Sequence, residues 1–215
     1  MPQITPTNQT RVVRGAKRAN YDRDTLHAII DAALICHVAQ ILPGNRPLVT
    51  PTAHWREGNW LYWHGLSSAR NVAATQAQPV SINICLLDGL VMARSAFHHS
   101  INYRSATLFG TPEPVTDPAE KTRQLEIFLD KVSPERWPQL RPINDSELKA
   151  TGLVRMAIDE ASAKMRNGPP VDDEADHDWP VWAGVIPVQS QWGSPEPDQY
   201  CTDKGLDHPR LPGSA

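Results

Sequence analysis

The stretch Pro51-Thr-Ala-His-Trp-Arg-Glu-Gly-Asn-Trp-Leu-Tyr-Trp-His-Gly65 and its counterpart Phe97-His-His-Ser-Ile-Asn-Tyr-Arg-Ser-Ala-Thr-Leu-Phe-Gly110 decide the fold of this chain. Both set imidazoles, hydroxyl groups, guanidinium groups and aromatic rings between apolar residues, in segments rich in strand-forming side chains. A strand that is buried on both faces reads instead as a nearly continuous apolar run. The two stretches therefore indicate a β-barrel that binds a flat, phosphorylated ring cofactor.

The bulk composition predicts one soluble domain. The chain has 215 residues, of which 40% are hydrophobic and 21% charged, as in ordinary globular proteins. Its formal net charge of -3 does not favour nucleic-acid binding. No apolar run is long enough to cross a membrane, and the polar N-terminus does not resemble a secretory signal. We therefore expect a cytoplasmic protein with no nucleic-acid or membrane partner, and we expect its three widely spaced cysteines to be reduced thiols.

Three regions are expected along the chain. Residues 1–20 form a flexible basic arm, which is either solvated or packs on a partner subunit or near an anion. Residues 21–188 form the folded domain. Residues 189–215, rich in proline and glycine, form a tail that we expect to be poorly ordered.

Short strands with inserted helices dominate the folded domain. Helices are predicted to begin after Asp22 or Asp24, after Asp117 and after Asn144, because each of these side chains can cap a helix. Strands are predicted at 34–42, 48–55, 59–64, 79–87, 90–96, 103–115 and 153–158, with a hairpin turn at 88–89. This order predicts an α+β, mainly β fold, an antiparallel barrel with flanking helices, and not a doubly wound parallel sheet.

A first phosphate-binding group follows the strand that ends at His64. The chain has neither a Gly-x-Gly-x-x-Gly motif nor a P-loop, so side chains must bind any phosphate. Gly65 permits a tight turn, and Ser67, Ser68 and Arg70 come next, at the start of a short helix. Hydroxyl groups, helix N–H groups and a guanidinium together suit a phosphate. The simpler alternative is a serine cap beside a surface arginine.

A second candidate group lies on the strand that follows His98 and His99. Asparagine, tyrosine, arginine and serine side chains there are expected to form the rim of a cofactor site, with Arg104 or Ser105 near phosphate or ring oxygens: Asn102, Tyr103, Arg104 and Ser105. We predict no metal site, because adjacent histidines on a strand point apart and no carboxylate or cysteine lies close by in sequence.

Three further segments carry alternatives. The strand from Pro51 to His54 is either an edge strand or a cofactor contact, since proline suits an edge where backbone groups are free. Lys164 either adds positive charge to an anion site or lies in an exposed basic turn. Trp182 either covers a ring face or seals the edge of the core.

The motifs together resemble the pyridoxamine 5′-phosphate oxidase-related FMN-binding split barrels. The resemblance rests on His64-Gly65 with Ser67 and Arg70, on Asn102-Tyr-Arg-Ser with Phe109-Gly110, and on the two later segments Ala161-Ser-Ala-Lys164 and Trp179-Pro-Val-Trp182. It is strongest to the flavin-nucleotide-binding branch that includes the nitroimidazole-resistance (Nim) proteins, and it covers roughly residues 11–188. The arginine-rich substrate signature of true pyridoxamine-phosphate oxidases is not recognisable here.

The resemblance implies a homodimer with two FMN sites at the subunit interface. It implies that Ser67 and Arg70 approach the phosphate, and that His64 lies near the reactive face of the cofactor. The residues expected to contact FMN are Pro51, Thr52, Ala53, His54, His64, Gly65, Ser67, Ser68, Arg70, Asn102, Tyr103, Arg104, Ser105, Lys164 and Trp182.

The leading functional hypothesis is an FMN-dependent oxidoreductase that acts on a small molecule. His64 is the candidate catalytic residue, because a neutral imidazole can donate a proton or orient a substrate near neutral pH. Nitro-group reduction is a narrower hypothesis that rests on analogy alone. The alternatives are a flavin carrier without turnover, and a haem-binding protein on the same fold, which the His98-His99 pair and the total of 8 histidines suggest and which needs an axial ligand on an open face.

Overall fold

An antiparallel sheet of ten strands is the main element of the part of the chain that the computed structural model describes, residues 3–73 and 78–212. The strands are β1 (Ala19–Asn20), β2 (Ile35–Leu42), β3 (Arg46–Glu57), β4 (Trp60–Leu66), β5 (Val80–Met92), β6 (Ser100–Gly110), β7 (Glu113–Pro114), β8 (Thr151–Ala157), β9 (Glu160–Arg166) and β10 (Gly184–Pro187). Their order is β1-β9-β6-β5-β2-β3-β4-β8-β7, with β10 attached to β5.

Two strands change partners along their length, and this splits the sheet. The first part of β5 pairs with β2 and its last part with β10, while β6 runs along its other edge. The first part of β3 pairs with β2, and its last four residues pair with β4. The sheet order ends at β1 and β7, so the sheet is not closed. The mainly β, antiparallel split-barrel fold predicted from the sequence is confirmed.

Helices flank this sheet, and three of them begin where capping residues predicted. They are α1 (Arg23–Ala32), α2 (Arg70–Ala73), α3 (Pro118–Val132), α4 (Asp145–Ala150) and α5 (Gln199–Lys204). Asp22, Asp117 and Asn144 each accept a hydrogen bond from a backbone N–H of the first turn. A reciprocal capping box forms at α4, where Glu147 bonds back to the Asn144 N–H. None of the described helices is long and apolar enough to cross a membrane.

One sequence-based assignment was wrong, and one of the two alternatives for Lys164 is excluded. The turn predicted at 88–89 is part of β5, where the pairing with β6 shifts register between Leu87 and Gly89. A bulge explains why an Asp-Gly pair does not end the strand: β6 and β10 pair with β5 on both edges and override the local turn preference. The basic turn considered around Lys164 is strand β9, which pairs with β6 and β1.

The interior has two hydrophobic clusters on opposite faces of the sheet. The larger one is enclosed by α1 and the inward faces of β2, β4, β5, β6, β8 and β9, and it contains Leu26, Ile82 and Leu108, all fully buried. The smaller cluster lies between the sheet and α3, where Trp55, Tyr62 and Leu153 pack against Ile127 and Phe128. Helix α3 therefore covers one part of the outer face and leaves the rest of that face open.

Gly152 allows the segment after β4 to pack directly on β8. A Cβ atom at Gly152 would stand 2.5 Å from Cγ1 of Val72 and 2.8 Å from the Cα of Ser67. We expect Gly152→Ala to lower the free energy of unfolding by about 1–3 kcal/mol, because the backbone must move to relieve this overlap. Urea unfolding measures the change, and Gly193→Ala is the control, since no atom lies within 4 Å of its added Cβ. Equal stability of the two variants would contradict this packing.

Candidate cofactor site

The outward face of β2 and β3 is apolar and open to solvent. Side chains alternate between faces along a strand, so Cys36 and Val38 enter the core while Ile35 and Ile41 point outward. Ile35 and Ile41 are each 48% exposed, and Val49 of β3 is 57% exposed. A contiguous exposed apolar surface of this kind is typical of a binding surface.

His37 lies at the centre of this open face. It pairs across the sheet with Pro51 of β3 on one side and with Asn83 of β5 on the other. Ile35 and Ala39 flank it on its own strand. The side chain is exposed and makes no hydrogen bond or ion pair within the described residues. Sequence analysis missed His37, although the alternation Ile35-x-His37-x-Ala39-x-Ile41 carries the signal.

His64 lies on the same face, at the border with α3. Its strand neighbour Tyr62 pairs with Trp55, and both rings face α3. The His64 ring lies 4.9 Å from the ring of Phe128 and 5.7 Å from that of Trp55. Its Nδ1 atom is buried without a hydrogen-bond partner in the described structure. Burial lowers the pKa of His64 below its usual 6.5, so the imidazole is neutral at neutral pH.

The Pro51–His54 segment divides between the two faces. Pro51 is the cross-strand neighbour of His37, and Ala53 is that of Ile35, so both lie on the open face. Thr52 shares a row with the buried Cys36, and its hydroxyl group donates to the backbone oxygen of Ala53. The structure therefore brings Pro51 and Ala53, but not the Thr52 side chain, to the face that carries His64.

His54 is a core residue. Its side chain is fully buried, and its Nε2 is 2.9 Å from the backbone oxygen of Ile30 in α1. Burial, followed by the nearby Lys131 ammonium, lowers the pKa of His54 to about 4. This histidine joins α1 to β3 and does not reach the open face.

The first candidate phosphate-binding group, at Ser67, Ser68 and Arg70, lies at one end of the barrel. Gly65 pairs with Gly152 of β8, and the Ser67 N–H donates to the backbone oxygen of Ala150. Ser67, Ser68 and Arg70 are exposed, and their side chains make no hydrogen bond within the described residues. Gln40 of β2 donates to the Arg70 backbone oxygen at 3.3 Å, which fixes the start of α2 beside β2.

Most side chains of the second predicted group are already engaged. Asn102 is buried, donates to the Gly168 backbone oxygen and accepts from Arg166. Arg104 forms a two-pronged ion pair with Asp88. Tyr103 is half-buried, and Arg166 is its cross-strand neighbour on β9.

Ser105 and Lys164 share a row across β6 and β9, and the Ser105 hydroxyl donates to the backbone oxygen of Lys164 at 3.0 Å. This row continues to Cys85 of β5, an exposed thiol. The Lys164 ammonium is without an ion-pair partner in the described residues, and it is the free cation of this group.

The two candidate phosphate-binding groups, one at Ser67 and Arg70 and the other at Lys164, are far apart within one chain. Arg70 is held beside β2, whereas Lys164 is on β9, three strands away and shifted along the strand direction. With strand spacings of about 4.8 Å and about 3.3 Å per residue, the separation is on the order of 20 Å. One flavin phosphate does not contact both groups of the same chain.

Trp182 lies away from this part of the open face. Its ring packs against Gly184, where a Cβ would be 2.8 Å from the ring, and Gly184 pairs with Met92 at the end of β5. Met92 is on the order of 20 Å along the strand from Cys85. Trp192, which sequence analysis did not select, lines a cavity of about 460 Å³ together with Ile35 and Cys85.

His98 and His99 are held by local contacts. His98 Nε2 is 3.3 Å from a carboxylate oxygen of Asp173, and His99 Nδ1 is 2.8 Å from the Ser95 backbone oxygen. Among residues 3–73 and 78–212, no three His, Cys, Asp or Glu side chains cluster as ligands for a metal ion.

Comparison with known families shows that the chain belongs to the pyridoxamine 5′-phosphate oxidase family, whose model matches residues 22–165. The fold is therefore a flavin-binding one of the pyridoxamine-phosphate-oxidase-like type, as the motifs suggested. No curated protein sequence matches the chain.

Two solved structures are similar over nearly the whole chain. The flavocytochrome Anf3 from Azotobacter vinelandii is 44% identical with a TM-score of 0.87, and the match covers 92% of each chain. The FAD and haem binding protein from Mycobacterium smegmatis is 34% identical with a TM-score of 0.80, and the match covers 85% of this chain and 89% of that one.

A candidate 5-nitroimidazole antibiotic resistance protein from Bacteroides thetaiotaomicron is 21% identical with a TM-score of 0.57, covering 68% of this chain and 85% of its own. This third likeness supports the fold and not the reaction.

The buried state of His54 predicts a loss of stability in mild acid. Its pKa is about 4 in the folded protein and near 6.5 when exposed, so the unfolded chain takes up a proton between these values that the folded chain does not. Stability falls as the pH drops from 6.5 to 4, by about 3 kcal/mol from this residue. Urea unfolding at pH 7 and pH 4.5 is expected to show a smaller loss in His54→Gln than in the unmodified protein.

The exposed His99 provides the matched control for this measurement, since His99→Gln is expected to keep the full pH dependence. If His54→Gln and His99→Gln lose stability equally on acidification, His54 is not the titrating group.

Proposed function

We propose that this protein is a redox protein that binds both a flavin and haem and transfers electrons to or from a small molecule. The observation that carries the proposal is the open apolar face of β2 and β3, with the unpartnered His37 at its centre and the neutral His64 at its border. Such a face suits a flat ring, because apolar side chains exclude water while a few polar atoms orient the ligand. The two relatives above 30% identity, a flavocytochrome and an FAD and haem binding protein, support both cofactors.

FAD is the proposed flavin, in place of the FMN that the sequence motifs suggested. A bound flavin supplies hydride or single-electron transfer. In this chain, Pro51 and Ala53 offer an apolar surface for the ring. His64 offers an imidazole nitrogen without a partner, and because burial keeps this imidazole neutral, it can either hold a proton or accept one.

An exposed histidine beside an apolar surface can hold haem iron. His37 fits this role, since it is exposed, unpartnered in the described structure and flanked by Ile35 and Ala39 on its own strand. His37 is therefore the residue that would hold the haem iron. His98 and His99, the histidines considered from the sequence, fit less well because each already contacts an oxygen atom.

Visible absorption spectra test both cofactors. The protein reconstituted with FAD and haem, and freed of excess, is expected to show flavin bands and a Soret band. His37→Ala is expected to lose most of the Soret band and keep the flavin, because the iron loses its ligand while the flavin surface remains. His64→Ala is expected to retain both cofactors, with the rate of flavin reduction by a nicotinamide donor lowered by about 10²-fold or more if His64 moves a proton.

His99→Ala is the control and is expected to bind both cofactors normally. A protein that retains no flavin overturns the proposal. Flavin that is retained but that neither a nicotinamide donor nor a reductase reduces would instead indicate a carrier, and an unchanged Soret band in His37→Ala would exclude His37 as the ligand.

We also propose that the protein works as a homodimer with each cofactor site between two subunits. Two observations support this. The two candidate phosphate-binding groups are widely separated in one chain, and the exposed apolar face is one that a second copy would cover. In this arrangement the serine–arginine group at Ser67 and Arg70 and the lysine group at Lys164 come from different subunits.

A charge on the open face tests the dimer. Val49→Asp is expected to shift the protein towards monomer and to weaken flavin binding by about tenfold or more, because burying an unpaired carboxylate is unfavourable. Analytical ultracentrifugation and flavin titration measure the two effects. Val171→Asp, a change at an exposed valine elsewhere, is the control. A monomeric unmodified protein that binds flavin at full affinity would overturn the dimer proposal.

A further inference from the structure

We propose that the N-terminal basic arm forms a binding pocket for the diphosphate of a dinucleotide. The inference rests on the proposed flavin function and goes beyond it, because it gives a physical reason for the binding of FAD over FMN. The pocket is a cavity of about 580 Å³ lined by Arg14, Gly15, Ala16, Lys17, Arg18 and Lys164.

The arm is fixed in place by specific contacts. Ile4 is buried, and its N–H donates to the backbone oxygen of Tyr21 at 2.9 Å. The Tyr21 hydroxyl accepts from the Val12 N–H at 2.9 Å, and Thr7 donates to the Glu160 carboxylate at 2.5 Å. These contacts hold the arm on both sides of its basic segment, so the positions of the cations are defined by the fold.

The loop at Gly15 brings the arm against Lys164. Strand β1 follows this loop and pairs with β9, placing Ala19 opposite Lys164. Gly15 has a φ of 71°, in the left-handed region that favours glycine. A Cβ atom added at Gly15 would lie 3.5 Å from Cε of Lys164, so the loop packs directly on the aliphatic part of the lysine side chain. The loop therefore directs three cations of the arm to the same cavity.

The four cations in this cavity lack anionic partners. Most arginines of the folded domain pair with a carboxylate, as Arg104 does with Asp88. In residues 3–73 and 78–212, by contrast, the charged groups of Arg14, Lys17, Arg18 and Lys164 make no ion pair and no hydrogen bond. The nearest carboxylate on β9, Glu160, is bonded to Thr7. Four like charges repel one another, and a bound multivalent anion removes that repulsion.

The position of the cavity favours a cofactor phosphate. Lys164 shares a row with Ser105 and Cys85, on the outward side of the sheet that also carries the open apolar face. The first flavin phosphate is assigned to Ser67 and Arg70 of one subunit, which the proposed dimer sets beside the Lys164 cavity of the other. The second phosphate of FAD is bonded to the first through one oxygen atom, so it lies next to this cavity, where several guanidinium and ammonium groups suit it. The two propionates of haem offer similar charged oxygens, and the experiment separates these sources.

The test compares FAD, FMN and ADP binding by isothermal titration calorimetry, and haem retention by the height of the Soret band. The variant carries Arg14→Gln, Lys17→Gln and Arg18→Gln, which remove three charges from an exposed arm and leave the sheet unchanged. We expect its affinities for FAD and for ADP to fall roughly tenfold or more, and its FMN affinity to change by less than about twofold, since charge-assisted hydrogen bonds to the second phosphate are lost. The control carries Arg46→Gln and Lys204→Gln, two exposed cations outside the pocket.

Four results would overturn the inference. The variant could keep the FAD and ADP affinities of the unmodified protein, or it could lose FMN affinity to the same extent as FAD affinity. It could lose haem retention alone, which would assign the cluster to propionates. The control could lose FAD affinity equally, which would indicate only a general charge effect. If the unmodified protein binds no flavin, the proposed function fails, whereas titration with ADP still tests the pocket.

Discussion

The division of strand β5 between two neighbours is the constraint on which the rest of the structure depends. Strand β2 pairs with only three residues of β5, at 81–83, and β10 takes over at 89–92. Because β2 diverges from β5 between these points, the outward face around Ile35 and Cys85 is not covered by a strand. The segment after β10 partly fills this gap with Trp192. The cavity beside the open face follows from this change of partner, whereas His37 lies next to the gap, where β2 still pairs with β5.

Burial gives three histidines of adjacent strands different chemistry. His54 points inward, is fully buried and is bonded to α1, so it acts as a structural group. His64 points outward but lies under α3, which keeps it neutral and leaves its Nδ1 unpaired in the described structure. His37 also points outward and is exposed. The side of the strand and the reach of α3 therefore decide which imidazole can meet a ligand.

Much of the fold could be predicted from the sequence because it depends on local signals. The helix starts at Asp22, Asp117 and Asn144 follow from side chains that bond to the next backbone N–H groups. The β5 bulge could not be predicted, because an Asp-Gly pair favours a turn unless neighbouring strands hold it extended. Those neighbours, β6 and β10, are distant in sequence, so no local pattern reveals them.

The candidate site shows the same limit. The period of two correctly places Pro51 and His54 on opposite faces, but only the register with β2 shows which face is the core. Arg104 has the composition of a phosphate ligand, yet Asp88 already neutralises it because the bulge in β5 brings the two side chains together. Trp192 and His37 were missed since their importance depends on cross-strand neighbours and not on a motif.

The distribution of charge explains how an acidic protein can bind anionic cofactors. The net charge of -3 is a sum over the chain and does not describe any one surface. Most arginines of the folded domain form ion pairs, such as Arg123 with Glu57 and Arg155 with Glu113. Free cations remain at Arg70 and around Lys164, where the described structure provides no carboxylate partner. Since exposed charges act over about 10 Å at moderate ionic strength, an anion near these local groups meets a positive field although the net charge of the chain is negative.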